Sequence, residues 1–274
     1  DYFFYRDQYK IKKGLSAMLR VKNEEKNIKN VLLGIKNVFN EIVLIDNNSQ
    51  DNTLKIAKEL MENDDEFKEK LKIFNYPFDI ARCGIENFKT HPRSLHSLAY
   101  FYNYCLSKCS FTHVMKWDGD MLLPYRLQEK LKLFISKLMD SDMPVLGITK
   151  GLTVFKGFDE NYYYRENCYE KEIRIFDNLK NNYFTKDVLW EKLQSDIETQ
   201  FITSSENLFI EFKDVSTNEY SHWNAGDLGM GMRKRRELRD FKIIADITSN
   251  SKYDIGSEID NVGFKSLKRE DIFN

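Results

Sequence analysis

Five short apolar runs, spaced by stretches with helical periodicity, constrain this chain more than any other feature. They are residues 15–21 (LSAMLRV), 41–45 (EIVLI), 71–76 (LKIFNY), 111–117 (FTHVMKW) and 145–149 (VLGIT). Short, mainly apolar runs that end in turn signals read as strands buried on both faces. Between the first two, Ile28, Val31, Leu32, Ile35 and Val38 recur at helical spacing, after acidic residues that suit a helix start. Residues 51–61 and 94–109 also read as helices, as does a stretch introduced by Pro124 and Arg126 with Leu127, Leu131, Phe134, Ile135 and Leu138 on its inner face. Strands alternating with helices specify a parallel α/β sheet with right-handed crossovers. In such sheets ligands bind beyond the carboxyl ends of the strands. Asn23, after the first run, and Asp46, Asn47, Asn48 and Ser49, after the second, are therefore placed to touch a ligand.

Beyond residue 149 the pattern turns irregular. TVFKGF is followed by a tyrosine-rich stretch at 162–164, read as a loop, and by EIRIF at 172–176, so this half reads as α+β additions around one sheet. A chain of 274 residues is long enough for one domain with a large core. Net charge is -1, from 42 basic and 43 acidic side chains, which argues against a dedicated nucleic-acid binder. No run of about 18 apolar residues suggests a membrane span, and the start, DYFFYRDQYKIKKG, shows no signal-peptide pattern. Cys83, Cys105, Cys109 and Cys168 form no C-x-x-C pair and lie near no histidine at zinc-ligand spacing, so they read as reduced, buried thiols.

Asp118-Gly119-Asp120 is the most informative local feature. Two carboxylates flank a glycine directly after an apolar run. Glycine allows a tight bend and close approach of a ligand. Paired hard oxygens suit Mg²⁺ or Mn²⁺, which can neutralise a departing diphosphate. The same tripeptide is also ordinary turn chemistry.

Its context narrows the choice. LSAMLRVKNEE, EIVLIDNNSQDNT and VMKWDGDMLLPYRL occur in that order, and over about residues 14–135 the chain resembles family 2 glycosyltransferases with a GT-A fold. In that family the first strand ends in Pro-Thr-Tyr-Asn-Glu, the second in Asp-Asp-Gly-Ser-x-Asp, and the fourth in Asp-x-Asp followed by Pro and Arg-Leu. The resemblance implies a Rossmann-like α/β fold of GT-A type: a mixed, mostly parallel sheet flanked by helices, with an α+β acceptor-side C-terminal part. It implies one domain over 1–274, with a nucleotide-binding half at about 11–125 and an acceptor-binding half at about 126–274. Carried over by residue, it implies that Arg20, Val21, Asn23 and Glu24 line the nucleotide pocket and that Asp46, Asn47 and Ser49 lie near base and ribose. Asp118 and Gly119 then face the sugar nucleotide, Asp118 and Asp120 hold Mn²⁺ or Mg²⁺, and Asn103 matches the asparagine of an Ala-Arg-Asn-x-Gly helix motif.

The sequence departs from the family pattern in ways that leave the donor base open. Arg20 and Val21 replace Pro-Thr, Asn47 replaces an aspartate, and Tyr102 and Cys105 replace the arginine and glycine of the helix motif. The donor is thus a UDP-, GDP- or dTDP-sugar, and Arg82 or Arg93 is a candidate for the cation missing at Tyr102. In the later half, residues 172–193 loosely match a family segment ending in Val-His-Glu, which makes Glu191 the catalytic base, with Asp187 and Glu172 as competitors. His222 is the candidate third metal ligand, beside Trp223. The basic run Arg233, Lys234, Arg235, Arg236 after the glycine-rich GDLGMG suits a lid over the diphosphate or contact with an anionic membrane.

The resemblance therefore implies a metal-dependent, inverting glycosyltransferase. It would act on a hydroxyl of a glycan, glycoprotein or lipid-linked acceptor, in the cytoplasm or peripheral to a membrane. The alternative is a catalytically inactive GT-A-like module that binds nucleotide sugar. A nucleotidylyltransferase or a dehydrogenase would need a glycine-rich phosphate loop after the first strand, and LRVKNEE has no glycine.

Overall fold

A computed structural model describes residues 11–217, 219–221, 230–249 and 255–273, with the side chains of Asn167, Cys168 and Glu170 excepted. The elements follow in the order β1 (Lys12–Val21), α1 (Ile28–Ile35), β2 (Glu41–Asp46), α2 (Thr53–Asn63), α3 (Asp65–Lys70), β3 (Leu71–Asn75), α4 (Ile85–Lys89), α5 (Leu98–Lys108), β4 (Phe111–Asp118), β5 (Met121–Leu122) and α6 (Tyr125–Met139). The second half contains β6 (Val145–Lys156), β7 (Tyr162–Asp177), β8 (Asn182–Lys186), β9 (Glu191–Ser195), β10 (Gln200–Asp214), α7 (Met232–Ser249), α8 (Ile255–Asn261), β11 (Lys265–Leu267) and α9 (Glu270–Phe273).

The main sheet runs β3-β2-β1-β4-β7-β6-β10-β5, with β11 on β7, and β8 and β9 form a separate hairpin. All pairings among β3, β2, β1 and β4 are parallel, as the alternating pattern predicts. Within the main sheet, the antiparallel pairings among the described residues involve β7, β5 and β11. The expected α/β class with a mixed sheet is the one observed. Two segments of the later half differ from expectation. The tyrosine-rich stretch is the start of β7 rather than a loop, and the fifth run continues as a strand to Lys156. Both are long partners in one sheet, and their mixed polar and apolar sequence hides this because their faces meet unlike neighbours.

The parallel strands are buried on both faces. Leu15, Ala17, Leu19, Val21, Ile42 and Leu44 pack with α1 and α6 on one side. Met18, Val43 and Ile45 pack with Ala99, Phe101, Cys105 and Leu106 of α5 on the other. Double-sided burial explains why these strands read as continuous apolar runs. A third cluster lies beneath α7, where Leu238, Phe241, Ile244 and Ile247 meet Phe155 and Tyr163. Among the described residues no helix is long and apolar enough to cross a membrane.

Trp117 links this core to the turn that follows β4. Its ring is fully buried, edge-on to Phe39 at 5.6 Å and tilted against Phe209 at 5.9 Å. Phe209, on β10, lies opposite Gly151 of β6. A Cβ at Gly151 would sit 2.1 Å from the Phe209 ring, so this position admits glycine because the ring occupies the side-chain space. Overpacking of this kind costs roughly 1–3 kcal/mol. Gly151→Ala is expected to lower stability in urea denaturation by that amount, and Phe209→Leu in the same chain to restore part of it. No recovery in the double variant would show that the ring is not the obstacle.

Candidate active site

The carboxyl ends of β2, β1 and β4 lie side by side. Val21 is in register with Asp46, and Arg20 with Asp118. The loops after β1 and β2 are stitched together. The Asn23 N–H donates to Ser49 Oγ at 2.9 Å, the Gln50 N–H to Asn23 Oδ1 at 2.8 Å, and the Glu24 N–H to Thr53 Oγ1 at 2.7 Å. Asn23 holds this position with φ 58°. Asn23 and Ser49 are thus spent on shaping the rim, and Val21 is core.

Asp46 is buried, with Oδ2 accepting from the Ser49 N–H at 3.1 Å and Oδ1 without a partner among the described residues. A buried acceptor left over in this way is costly unless a ligand supplies the donor. Asn47 does something else. Its Nδ2 donates to the carbonyls of Phe78, at 2.6 Å, and Tyr76, at 3.3 Å, so its donors hold the chain after β3. Asn103 likewise pairs with backbone: its Nδ2 donates to Phe184 O at 2.7 Å and its Oδ1 accepts from Phe184 N–H at 2.8 Å. That pair fastens α5 to the β8–β9 hairpin, on which Glu191 lies. The resemblance implies both asparagines at the nucleotide; in this structure their side-chain amides hold backbone.

Arg20 is buried beneath the site, with its guanidinium 4.1 Å from the centre of the Tyr102 ring and bonded to Asp118 Oδ1. Arg174 of β7 donates to Asp118 Oδ2 at 2.8 Å. These two guanidiniums supply the cationic charge sought at Arg82 and Arg93; Arg82 instead pairs with Glu86 on its own exposed turn. Burial disfavours the charge on Asp118, yet Arg20 and Arg174 outweigh it and hold the carboxyl below its usual range. Sequence reasoning missed Arg174, whose signal was an arginine inside the apolar run EIRIF.

Asp120 stands in a different field. Its Oδ2 accepts from Lys213 Nζ at 2.5 Å, and its backbone carbonyl accepts from the Phe212 N–H at 2.9 Å. Burial, with the charges of Glu211, Glu219 and Asp118, outweighs Lys213 and pushes Asp120 up to about 7. Burial and the nearby Asp120 charge raise Glu24 to about 8. A Cβ at Gly119 would lie 2.5 Å from Glu24 Cγ, so a larger residue there would displace the Glu24 side chain. The hard carboxylate oxygens around Asp120 fit a divalent cation, and the Lys213 ammonium stands in for one. Asp118 fits less well as a direct ligand, since both its oxygens meet guanidiniums. Among the described residues no three carboxylate, imidazole or thiol groups come together as a metal site. His222, the expected third ligand, lies outside the described residues.

Glu191 opens β9, its side chain 9% exposed, with Lys116 Nζ 3.9 Å from Oε1. Burial first and Glu172 second raise its pKa, against Lys116 and Arg20. The Gly84 N–H bond to Leu189 O (2.7 Å) and the Asn87 Nδ2 bond to Trp190 O (3.2 Å) fix the turn before it. Of its competitors, Glu172 is held by Lys116 and by Arg174 Nη2 at 3.0 Å, and Asp187 caps its own turn through the Val188 N–H at 2.8 Å. The basic run forms the first turn of α7, where Lys234 Nζ bonds Glu237 at 3.2 Å; most of the glycines before it lie outside the described residues.

Comparison with known proteins gives one family match: residues 16–82 match Glycosyl transferase family 2. No curated protein matches the chain. Among solved structures, S. aureus TarS residues 1–349 align at 14% identity and a TM-score of 0.39, over 76% of this chain and 62% of that one. Glucosyl-3-phosphoglycerate synthase from Mycobacterium tuberculosis, in complex with Mn²⁺, UDP and phosphoglyceric acid, aligns at 18% identity and 0.32, over 53% of this chain and 44% of that one. The mannosyltransferase PcManGT from Pyrobaculum calidifontis, in complex with GDP-Man and Mn²⁺, aligns at 18% and 0.35, over 54% and 36%. The chain therefore spans less than two thirds of the length of each. Over residues 16–82 the chain matches the Glycosyl transferase family 2 model, and those residues lie in an α/β fold with a mixed sheet.

Proposed function

We propose that this chain transfers a sugar from a nucleoside-diphosphate sugar to a hydroxyl group of a glycan, glycoprotein or lipid-linked acceptor. The observation that carries this reading is the meeting of Asp46, a buried carboxylate with an oxygen that has no partner among the described residues, and the Asp118-Gly119-Asp120 turn at the ends of two parallel strands that flank β1. The family match over residues 16–82 supports it.

Each group has a chemical task in this reading. Asp46 Oδ1 accepts a hydrogen bond from the base or ribose, which supplies its missing donor. UDP-, GDP- and dTDP-sugars all offer such a group. Arg20 and Arg174 hold Asp118 ionised and rigid, and they keep positive charge beneath the diphosphate. A Mn²⁺ or Mg²⁺ ion, when bound, would be held at Asp120 with Glu24 close by, and it would neutralise the charge of the leaving diphosphate.

Glu191 acts as the base. As the acceptor oxygen attacks the anomeric carbon, the proton of that hydroxyl passes to Glu191, and the bond from the anomeric carbon to the phosphate oxygen breaks with its electron pair. Direct attack of this kind inverts the anomeric centre. Burial strengthens Glu191 as a proton acceptor, because a carboxylate with a raised pKa lies nearer the working pH. Lys116 restrains the same carboxylate without a close bond, at 3.9 Å.

Two outcomes follow. Glu191→Gln is expected to retain donor binding and to lose transfer by roughly 10²–10⁴-fold, read as product formed with acceptor present. Full transfer by this variant would place the base elsewhere. Asp46→Asn is expected to weaken nucleoside-diphosphate binding by about tenfold to a hundredfold in calorimetric titration, as for loss of a charge-assisted hydrogen bond. Unchanged affinity would remove Asp46 from the nucleotide site.

A further inference from the structure

Lys213 is a buried lysine that the sequence reading did not single out. Its side chain is 4% exposed. Its ammonium lies 2.5 Å from Asp120 Oδ2, 2.7 Å from Glu219 Oε1, 3.0 Å from Glu211 Oε1 and 4.0 Å from Glu237 Oε1. An ammonium has three donors, and the three shortest contacts use them. The partners are held from the backbone up. The Phe212 N–H bonds the Asp120 carbonyl, and Glu211 is in register with Met121. The backbones at Asp120 and Glu211 are thus held by strand pairing, whereas a lysine head rides on a flexible four-carbon stem.

We propose that Lys213 and a divalent cation compete for the Asp120 carboxylate, so that the metal enters only as the ammonium leaves. This rests on the reading of the site as one for a nucleoside-diphosphate sugar, with Asp120 as the metal-binding carboxylate. A Mg²⁺-sized ion sits about 2.1 Å from its oxygen ligands. The Lys213 nitrogen, at 2.5 Å from Oδ2, already occupies that shell. Two cations on one carboxylate oxygen repel each other in a partly buried site, where screening is weak. Once Lys213 leaves, the Asp120 carboxylate, with Glu24 close by, is open to a dication. Lys213 therefore keeps the acidic set paired in the metal-free protein and sets the metal affinity.

The test uses Mn²⁺ alone, without nucleotide, followed by electron paramagnetic resonance on wild type, Lys213→Met, Asp120→Asn and the double variant. Lys213→Met is expected to bind Mn²⁺ about tenfold or more tightly than wild type, as removal of a like charge within a few ångströms requires. That gain is expected to vanish in the Asp120→Asn background. Equal or weaker binding by folded Lys213→Met, no binding by either protein, or a gain that survives Asp120→Asn would each overturn the proposal. If Lys213→Met does not fold, acetylation of Lys213 in wild type decides: the rate is expected to rise several-fold at saturating Mn²⁺, and an unchanged rate overturns the proposal. A protein that binds nucleoside diphosphates but fails these tests loses only the Lys213 competition. One that shows the competition but binds no nucleotide loses the transfer reading instead.

Discussion

The site depends on how the turn after β4 is clamped. Trp117 is buried immediately before Asp118, and its indole N–H donates to Met121 O at 2.9 Å, across the Asp118-Gly119-Asp120 bend. Met121 and Leu122 then pair with β10, and the Phe212 N–H closes on the Asp120 carbonyl. The two aspartates are therefore aimed by a buried indole on one side and a strand pairing on the other. Because β10 is the clamp, Glu211 and Lys213 come to Asp120 as a consequence of that pairing. The chemistry at Asp120 and the packing around Phe209 are parts of one arrangement.

This arrangement divides the charges into two regions. Asp118 lies between guanidiniums and stays ionised, although it lies at the edge of a buried site. Asp120 lies among other carboxylates with a single close ammonium, and it holds its proton more readily. Two residues apart in sequence, the aspartates differ because their neighbours come from different strands, β1 and β7 for one and β10 for the other. The first region is a rigid cationic floor. The second is short of positive charge, a deficit that Lys213 offsets only in part.

The first half of the chain was legible because its strands are parallel and buried on both faces. That burial writes apolar runs, and the polar residues ending them mark the ligand edge. Asp46, Asp118 and Asp120 were found in this way. The second half was harder to read because β7 and β10 are long, have mixed faces, and meet partners far away in sequence. Arg174 and Lys213 reach the aspartates from 56 and 93 positions away, and no local pattern signals such a meeting. Asn47 and Asn103 carry a role that a motif match does not reveal: their side chains hydrogen-bond the backbone of Phe78, Tyr76 and Phe184. Glu191 was a loose match to a family segment, and it lies at the start of a strand whose preceding turn is tied to Gly84 and Asn87.

The central claim is that the ends of β2, β1 and β4 bind a nucleoside diphosphate. The most direct measurement is the thermal stability of the wild-type protein with UDP, GDP and dTDP, each with Mn²⁺ and with chelator. A ligand of the folded state at about a hundred times its dissociation constant adds roughly 2.7 kcal/mol, a readily measured shift. The account predicts stabilisation by one of the three nucleotides in preference to the others, and a larger effect with Mn²⁺ than with chelator. No stabilisation by any of them under either condition would contradict it.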